Sequence, residues 1–271
     1  MGCFVWKVNP VIGNFGSLTI RWYGLFLSLS FLIGYFFVCW QFWRAGKVAN
    51  LDDFLTFLRL LIYLVGGIAL GAYLGDRIFY RWNSLWANPL SFLSLDSGLS
   101  GLSSHGAFLG ALAAAYLFHL TSKIRFLEIL DRLTFSGAAG IVLVRLGNLM
   151  NSEYVGRPTE LPWAFCFPFR DGGLTPRHPA QIYEAGIGLI LLLAMVMVDR
   201  KCGGEKRPLG LLTGILFLGY FTMRLIVEFF KEGEFFSPAF PFAIGQVLSL
   251  PLMLTGLCLT VWAIKKRLHV S

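Results

Sequence analysis

Charge is scarce in this chain. Asp, Glu, Lys and Arg make up 14% of its 271 residues, against about 25% in a soluble domain. Hydrophobic residues make up 56%, more apolar surface than a soluble fold of this length can hide. The five cysteines show no CxxC spacing, which argues against a zinc site and a disulfide framework. Cys3 and Cys166 fall on one predicted side and could pair, but a free, inert thiol at each is expected. The first 21 residues lack the basic stretch and short apolar run of a cleaved leader, so they are expected to remain. Position 6 is Trp6 where a myristoylation signal wants Ser or Thr. The net charge of +8 is not gathered into a basic patch or separate domain, so no nucleic-acid partner is expected.

What remains is long apolar runs. Seven windows, about 22–43, 57–80, 104–123, 129–151, 181–200, 209–230 and 243–264, reach or exceed the roughly 20 residues a helix needs to span a hydrocarbon core. Each is too long, and too poor in strict alternation, for a barrel strand. The expected class is all-α: one polytopic membrane domain over 1–271 with about seven spans and an irregular appendage at about 152–180, rich in Gly and Pro. Alternating helices put Arg44, Lys47, Lys123, Arg125, Arg200, Lys201, Lys206, Arg207 and the tail Lys265-Lys266-Arg267 on one side. The positive-inside rule makes that side cytoplasmic, with the N-terminus outside and the C-terminus inside.

An ionisable residue in or near a membrane helix is costly, so its depth is informative. The same alternation carries Tyr23, Ser103, Ser104, His105, Gln181, Tyr183 and Glu184 to the outer face at helix starts. Helix ends bring Asp76, Arg77, Tyr80, Arg145, Asn148, Asn151, Glu153, Tyr220, Arg224 and Glu228 to the same depth. Tyr220, Arg224 and Glu228 share a helix face at i, i+4, i+8, and Arg145 and Asn148 share one at i, i+3. Taken singly, the bland readings hold: Arg224 and Glu228 as an intrahelical ion pair, Asp76 and Arg77 as structural, Tyr23 as an aromatic-belt residue. His119 and His269 read as interfacial on the inner side. Convergence of the outer group argues for a site. Two planar guanidinium groups could cradle one phosphate. A transporter would want charges near the midplane and paired halves. The helix centres here are nearly free of charge, which favours an enzyme working at headgroup depth.

The polar blocks also resemble a family, the prolipoprotein diacylglyceryl transferases. The resemblance rests on Arg21-Trp22-Tyr23-Gly24, Ser104-His105-Gly106, the specific run Arg145 to Glu153 with Gly156-Arg157, Arg177-His178-Pro179-Ala180-Gln181-Ile182-Tyr183-Glu184, and Tyr220 through Arg224 to Phe230. Arg21 stands where the family usually has His, and Ala107 replaces the second glycine after His105. The resemblance implies an enzyme of the bacterial inner membrane that moves the diacylglyceryl group of phosphatidylglycerol to the lipobox cysteine of a preprolipoprotein signal peptide, with no metal or organic cofactor. For that chemistry His105 is the candidate base, with His178 as runner-up, and Arg145 and Arg224 form the phosphate clamp. Asn148, Asn151 and Tyr23 are expected to orient the headgroup and Glu228 to hold Arg224. Gly156 is expected to allow close backbone approach, and Glu153, Arg157 and Tyr220 complete the binding set.

Overall fold

The computed structural model describes residues 2–48, 50–81, 102–232 and 242–268; His269 lies outside them. Among the described residues there are seven long helices: α1 (Trp22–Arg44), α2 (Leu51–Tyr80), α3 (Ser104–Ser122), α4 (Phe126–Met150), α5 (Ala180–Lys201), α6 (Leu211–Val227) and α7 (Ile244–Leu268). Each coincides with one of the apolar windows. Six of them, with α6 extended by a 3-10 turn to Phe230, are long and apolar enough to cross a membrane. The exception is α3, a 19-residue helix holding both His105 and His119. Outward faces carry large apolar side chains such as Leu32, Phe36, Ile62, Leu117 and Ile190, a surface suited to lipid rather than water. The protein is a mostly helical, polytopic membrane protein.

Local chemistry sets the helix ends. Asn50 and Asp53 form a reciprocal capping box that starts α2. Ser103 caps α3 by accepting from the Gly106 N–H at 3.1 Å. The start of α6 is capped from another helix: Asp131 of α4 accepts from Gly210 N at 2.8 Å, Thr213 N at 2.9 Å and Thr213 Oγ1 at 2.6 Å. Hydrogen bonds to a charged acceptor contribute about 1.5–3 kcal/mol each. Around it, Arg44 and Arg207 grip Asp199 at 2.8 and 2.6 Å, and Arg132 reaches Glu205 at 2.9 Å. These ion pairs tie α1, α4 and α5 together at the end of the bundle remote from the α1 N-terminus.

Helices pack as α1 on α4, α2 on α3, α4 on α5 and α6 on α7. The α2–α3 crossing is close because glycines face each other. A Cβ at Gly71 would sit 2.3 Å from the Gly106 carbonyl oxygen, and one at Gly110 would sit 2.0 Å from that of Gly67. This contact brings the first turn of α3, with His105, against the last turns of α2. Within those turns Asp76 pairs with Arg81 at 2.9 Å and Arg77 lies over the Tyr73 ring.

Two features depart from the sequence expectations. Residues 11–21 form an antiparallel hairpin, β2 (Val11–Phe15) and β3 (Leu18–Arg21), leading directly into α1. In addition, β1 (Phe4–Val5) pairs in parallel with β4 (Phe165–Cys166) of the appendage. Cys3 and Cys166, expected as free thiols, are joined in a disulfide with Cα atoms 5.8 Å apart. The expectation failed because sequence gave no register for two segments 163 residues apart, and strand pairing supplies it. Trp6 follows and donates from Nε1 to the Leu149 carbonyl at 2.9 Å, fixing this strap to the end of α4. A one-turn helix, Pro168–Asp171, is the appendage's other regular element, and the rest is irregular as expected.

Candidate active site

The site is organised around a carboxylate. Glu184, in the first two turns of α5, is 3% exposed and is ringed by three cations from three places in the chain. Arg224 at the end of α6 donates from Nη1 to Oε1 at 2.7 Å. Arg145 in the last two turns of α4 places Nε 3.0 Å from Oε2, a charge contact whose N–H is not aimed at the oxygen. Lys231, just after the 3-10 turn Glu228–Phe230, stands with Nζ 3.7 Å from Oε1. Glu228 is more distant from Arg224, at 3.9 Å. The expected pair of Glu228 with Arg224 is thus present but long, and Glu184 is the closer partner. The i, i+4 spacing suggested the weaker contact because the helix ends at Val227 and turns before Glu228.

Among the described residues three cations thus face two carboxylates, leaving one net positive charge in a buried space. Tyr154 adds a face to it, its ring 5.9 Å from both the Arg145 guanidinium and Lys231 Nζ. Burial and the neighbouring Arg224 push the Lys231 ammonium down to about 8, with Glu184 opposing the shift. Asn148 accepts from Arg145 Nη1 at 3.1 Å, one turn along the same helix, and so aims the guanidinium. Tyr23 packs on Gly147, whose Cβ position would be 3.3 Å from Tyr23 Cα, and it feels the charges of Arg145 and Glu153. Tyr220 stands within electrostatic reach of Arg224.

The turn after α4 is built with care. Ser152 and Tyr154 both hold φ of 54°, a left-handed conformation uncommon for non-glycine residues and concentrated at functional sites. Glu153 lies between them: its N–H donates to the Asn148 carbonyl at 2.9 Å, its side chain accepts from Asn151 Nδ2 at 3.3 Å, and its carbonyl accepts from Gln181 Nε2 at 2.6 Å. Gly156 allows close approach of the protein's own backbone. A Cβ there would meet the His178 and Phe230 carbonyl oxygens, each at 2.6 Å. Its N–H donates to the His178 carbonyl, and the next residue bonds Phe230. Arg157 donates from Nε to the Lys231 carbonyl at 2.7 Å, and Arg177 pairs with Asp171 and Glu232. The appendage therefore holds Lys231 in place.

The two candidate histidines differ in their surroundings. His105 is buried, places Nε2 3.1 Å from Ser249 Oγ of α7, and lies within electrostatic reach of Arg224 and Lys231. His178 sits in the appendage, with Nδ1 3.1 Å from the Tyr183 hydroxyl and its ring edge-on to Phe230. Burial lowers its pKa. Buried polar atoms without a hydrogen-bond partner gather at this end of the bundle, among them His105 Nδ1, Asn151 Oδ1, Gln181 Oε1, Glu184 Oε2 and Arg224 Nε. Such atoms are rare in folded proteins.

Arg145, Asn148, Arg224 and Tyr220, expected on one face, lie near one another; Lys231, Tyr154 and Ser249, not among the expected residues, lie beside them, as does Glu184, for which the sequence suggested no role. The Gln181-Ile182-Tyr183-Glu184 block was the available signal for Glu184. Nothing in the sequence marked Ser249.

The protein is thus a helical membrane protein with a buried cluster of three cations about Glu184 at one end of its bundle. The family model described as prolipoprotein diacylglyceryl transferase matches residues 10–262. Among similar proteins, the phosphatidylglycerol–prolipoprotein diacylglyceryl transferase of Chloroherpeton thalassium is 35% identical over 96% of this chain and 94% of its own length. Those of Pseudoalteromonas translucida and Vibrio cholerae are 35% and 33% identical, over 96% and 97% of this chain, and each is covered over 94% of its length. The chain belongs to the prolipoprotein diacylglyceryl transferase family.

Proposed function

We propose that the Arg145, Arg224 and Lys231 cluster receives the phosphate of phosphatidylglycerol while His105 takes the proton of a lipobox cysteine thiol. The overall reaction is the first step of bacterial lipoprotein maturation. A cysteine sulfur bonds to the glycerol carbon of the diacylglyceryl group, the C–O bond to phosphate breaks, and glycerol phosphate leaves with the bonding pair. Sulfur reacts as thiolate, so a base beside it is needed. The leaving phosphate gathers charge, and fixed cations aimed at it lower the barrier. The observation that carries this reading is one buried net positive charge around Glu184, matched to a phosphodiester's single negative charge. Tyr23, Asn148, Asn151 and Glu153 line or brace the headgroup space, and the appendage carrying Gly156, Arg157 and His178 meets the signal peptide.

All seven helices cross the bacterial inner membrane, with the appendage and N-terminus outside and the C-terminus cytoplasmic. Two observations support this orientation. The Cys3–Cys166 disulfide suits an oxidising compartment, and the short loops at the opposite end hold most of the basic residues.

The test is to incubate detergent-purified protein with phosphatidylglycerol and a lipobox peptide, assaying thioether product and released glycerol phosphate. Arg145→Lys keeps the charge and loses the planar fork, so turnover should fall by about 10²-fold, in the range seen when one charge-stabilising donor is lost. Wild-type turnover in a folded Arg145→Lys protein would show that the fork has no part in the reaction.

A further inference from the structure

His105 offers two nitrogens, and which of them is basic follows from oxygen positions alone. Ser249 is fully buried. Its Oγ lies 2.7 Å from the Gly245 carbonyl oxygen and 3.1 Å from His105 Nε2. A carbonyl oxygen cannot donate, so the short contact to Gly245 consumes the one hydroxyl hydrogen of Ser249. The remaining contact is then a hydrogen bond only if His105 Nε2 carries a proton and donates to Oγ. A neutral imidazole protonated on Nε2 has its lone pair on Nδ1. Among the described residues His105 Nδ1 is buried with no hydrogen-bond partner, so no protein group competes for its lone pair.

We infer that Ser249 is a positioning residue that fixes His105 as the Nε2–H tautomer, leaving Nδ1 as the basic atom. The inference rests on the reading of His105 as the base. Nδ1 takes the thiol proton as the sulfur attacks, and after the C–O bond breaks that proton passes to the departing glycerol phosphate, so atoms and charge balance. The same arrangement couples the base to the clamp. Gly245, whose carbonyl holds Ser249, packs against the Glu228 carboxylate, a Cβ there falling 3.2 Å from its carbon. Placement of α7 against the end of α6 therefore sets both the tautomer and the charge beside Arg224.

The experiment uses full-length protein labelled with 15N at histidine, the His105 signals being assigned as those lost in His105→Gln. The expected spectrum shows a protonated, pyrrole-type Nε2 and an unprotonated, pyridine-type Nδ1. Ser249→Ala should mix the tautomers and lower kcat about tenfold, the worth of one hydrogen bond, with KM for phosphatidylglycerol unchanged. Ser249→Thr keeps a hydroxyl and should retain the wild-type spectrum and most of kcat. A wild-type His105 protonated on Nδ1, or a Ser249→Ala protein with unaltered spectrum or kcat, overturns the inference. Failure of the base assignment shows separately, as wild-type turnover in His105→Gln.

Discussion

Replacing Glu184 with glutamine separates charge from shape at the centre of the site. Glutamine fills the same volume but leaves Arg145, Arg224 and Lys231 facing Glu228 alone, so the net charge of the cluster rises from one to two. Removing one partner of a buried ion pair destabilises a protein by about 3–5 kcal/mol, because the remaining charge stays buried without compensation. Two of the three cations here sit within 3.0 Å of the lost carboxylate, so the full range applies. At roughly 2–4 °C per kcal/mol for a chain of this size, the apparent melting temperature in detergent should fall by about 6 °C or more. Added glycerol phosphate should restore more of that loss in the variant than it adds to wild type, because an anion supplies the missing countercharge. Turnover should fall about 10²-fold, since guanidinium groups no longer aimed lose their differential grip on the leaving phosphate. KM for phosphatidylglycerol should stay level or fall as the site becomes more positive. A Glu184→Gln protein with wild-type melting temperature, or with raised KM and unchanged kcat, would refute the reasoning.

Lys231 has its ammonium lowered to about 8, so it is charged below that pH and neutral above it. If its charge grips phosphate, the ratio of Lys231→Arg to wild-type kcat/KM should climb as pH rises through 8; a flat ratio argues against the role. The sign for stability is opposite: because the folded pKa lies below the ordinary lysine value, folding is favoured as pH rises from about 8 towards 10.4. His105→Gln should cut turnover by about 10²-fold or more with little effect on lipid binding, whereas His178→Gln should remain active; the reverse pattern moves the base to His178. Impermeant thiol labelling of single cysteines should reach positions in 152–180 from outside the inner membrane and positions in 201–207 only after lysis, and cytoplasmic labelling of 152–180 would relocate the site. Cys3→Ser should make the appendage more sensitive to protease while the bundle stays intact, measured by limited proteolysis, and unchanged cleavage would show that the strap does not restrain it.

Apolar run length carried most of the fold. The observed α1, α3 and α5 match their windows to within a residue or two, because a lipid-facing helix must be continuously apolar and ends where charge begins. α2 begins six residues before its window, where Asn50 and Asp53 form a cap that hydropathy does not register. The hairpin at 11–21 escaped because its strands are short and exposed. Within the site, residues on regular helix faces were legible: Arg145 with Asn148 follows from spacing alone. Lys231 was not, because a change from α to 3-10 geometry after Val227 ends the register on which the spacing argument depends. Ser249 was invisible for a different reason. Its role comes from α7 lying beside α3, a tertiary contact between residues 144 apart, and a serine near the start of an apolar helix has an ordinary local explanation.

The disulfide between Cys3 and Cys166 closes a covalent ring through α1, α2, α3 and α4. Arg145 and His105 lie inside that ring, whereas Glu184, Arg224, Lys231 and Ser249 lie on the chain beyond it. The two halves of the site therefore belong to different covalent neighbourhoods and meet through noncovalent contacts such as Arg145–Glu184 and His105–Ser249. During synthesis the Cys3 thiol is made before any long helix and must stay unoxidised by other partners until four helices have followed and Cys166 arrives. Completion of the site then waits on α5 to α7, which must dock against a ring that can already be closed.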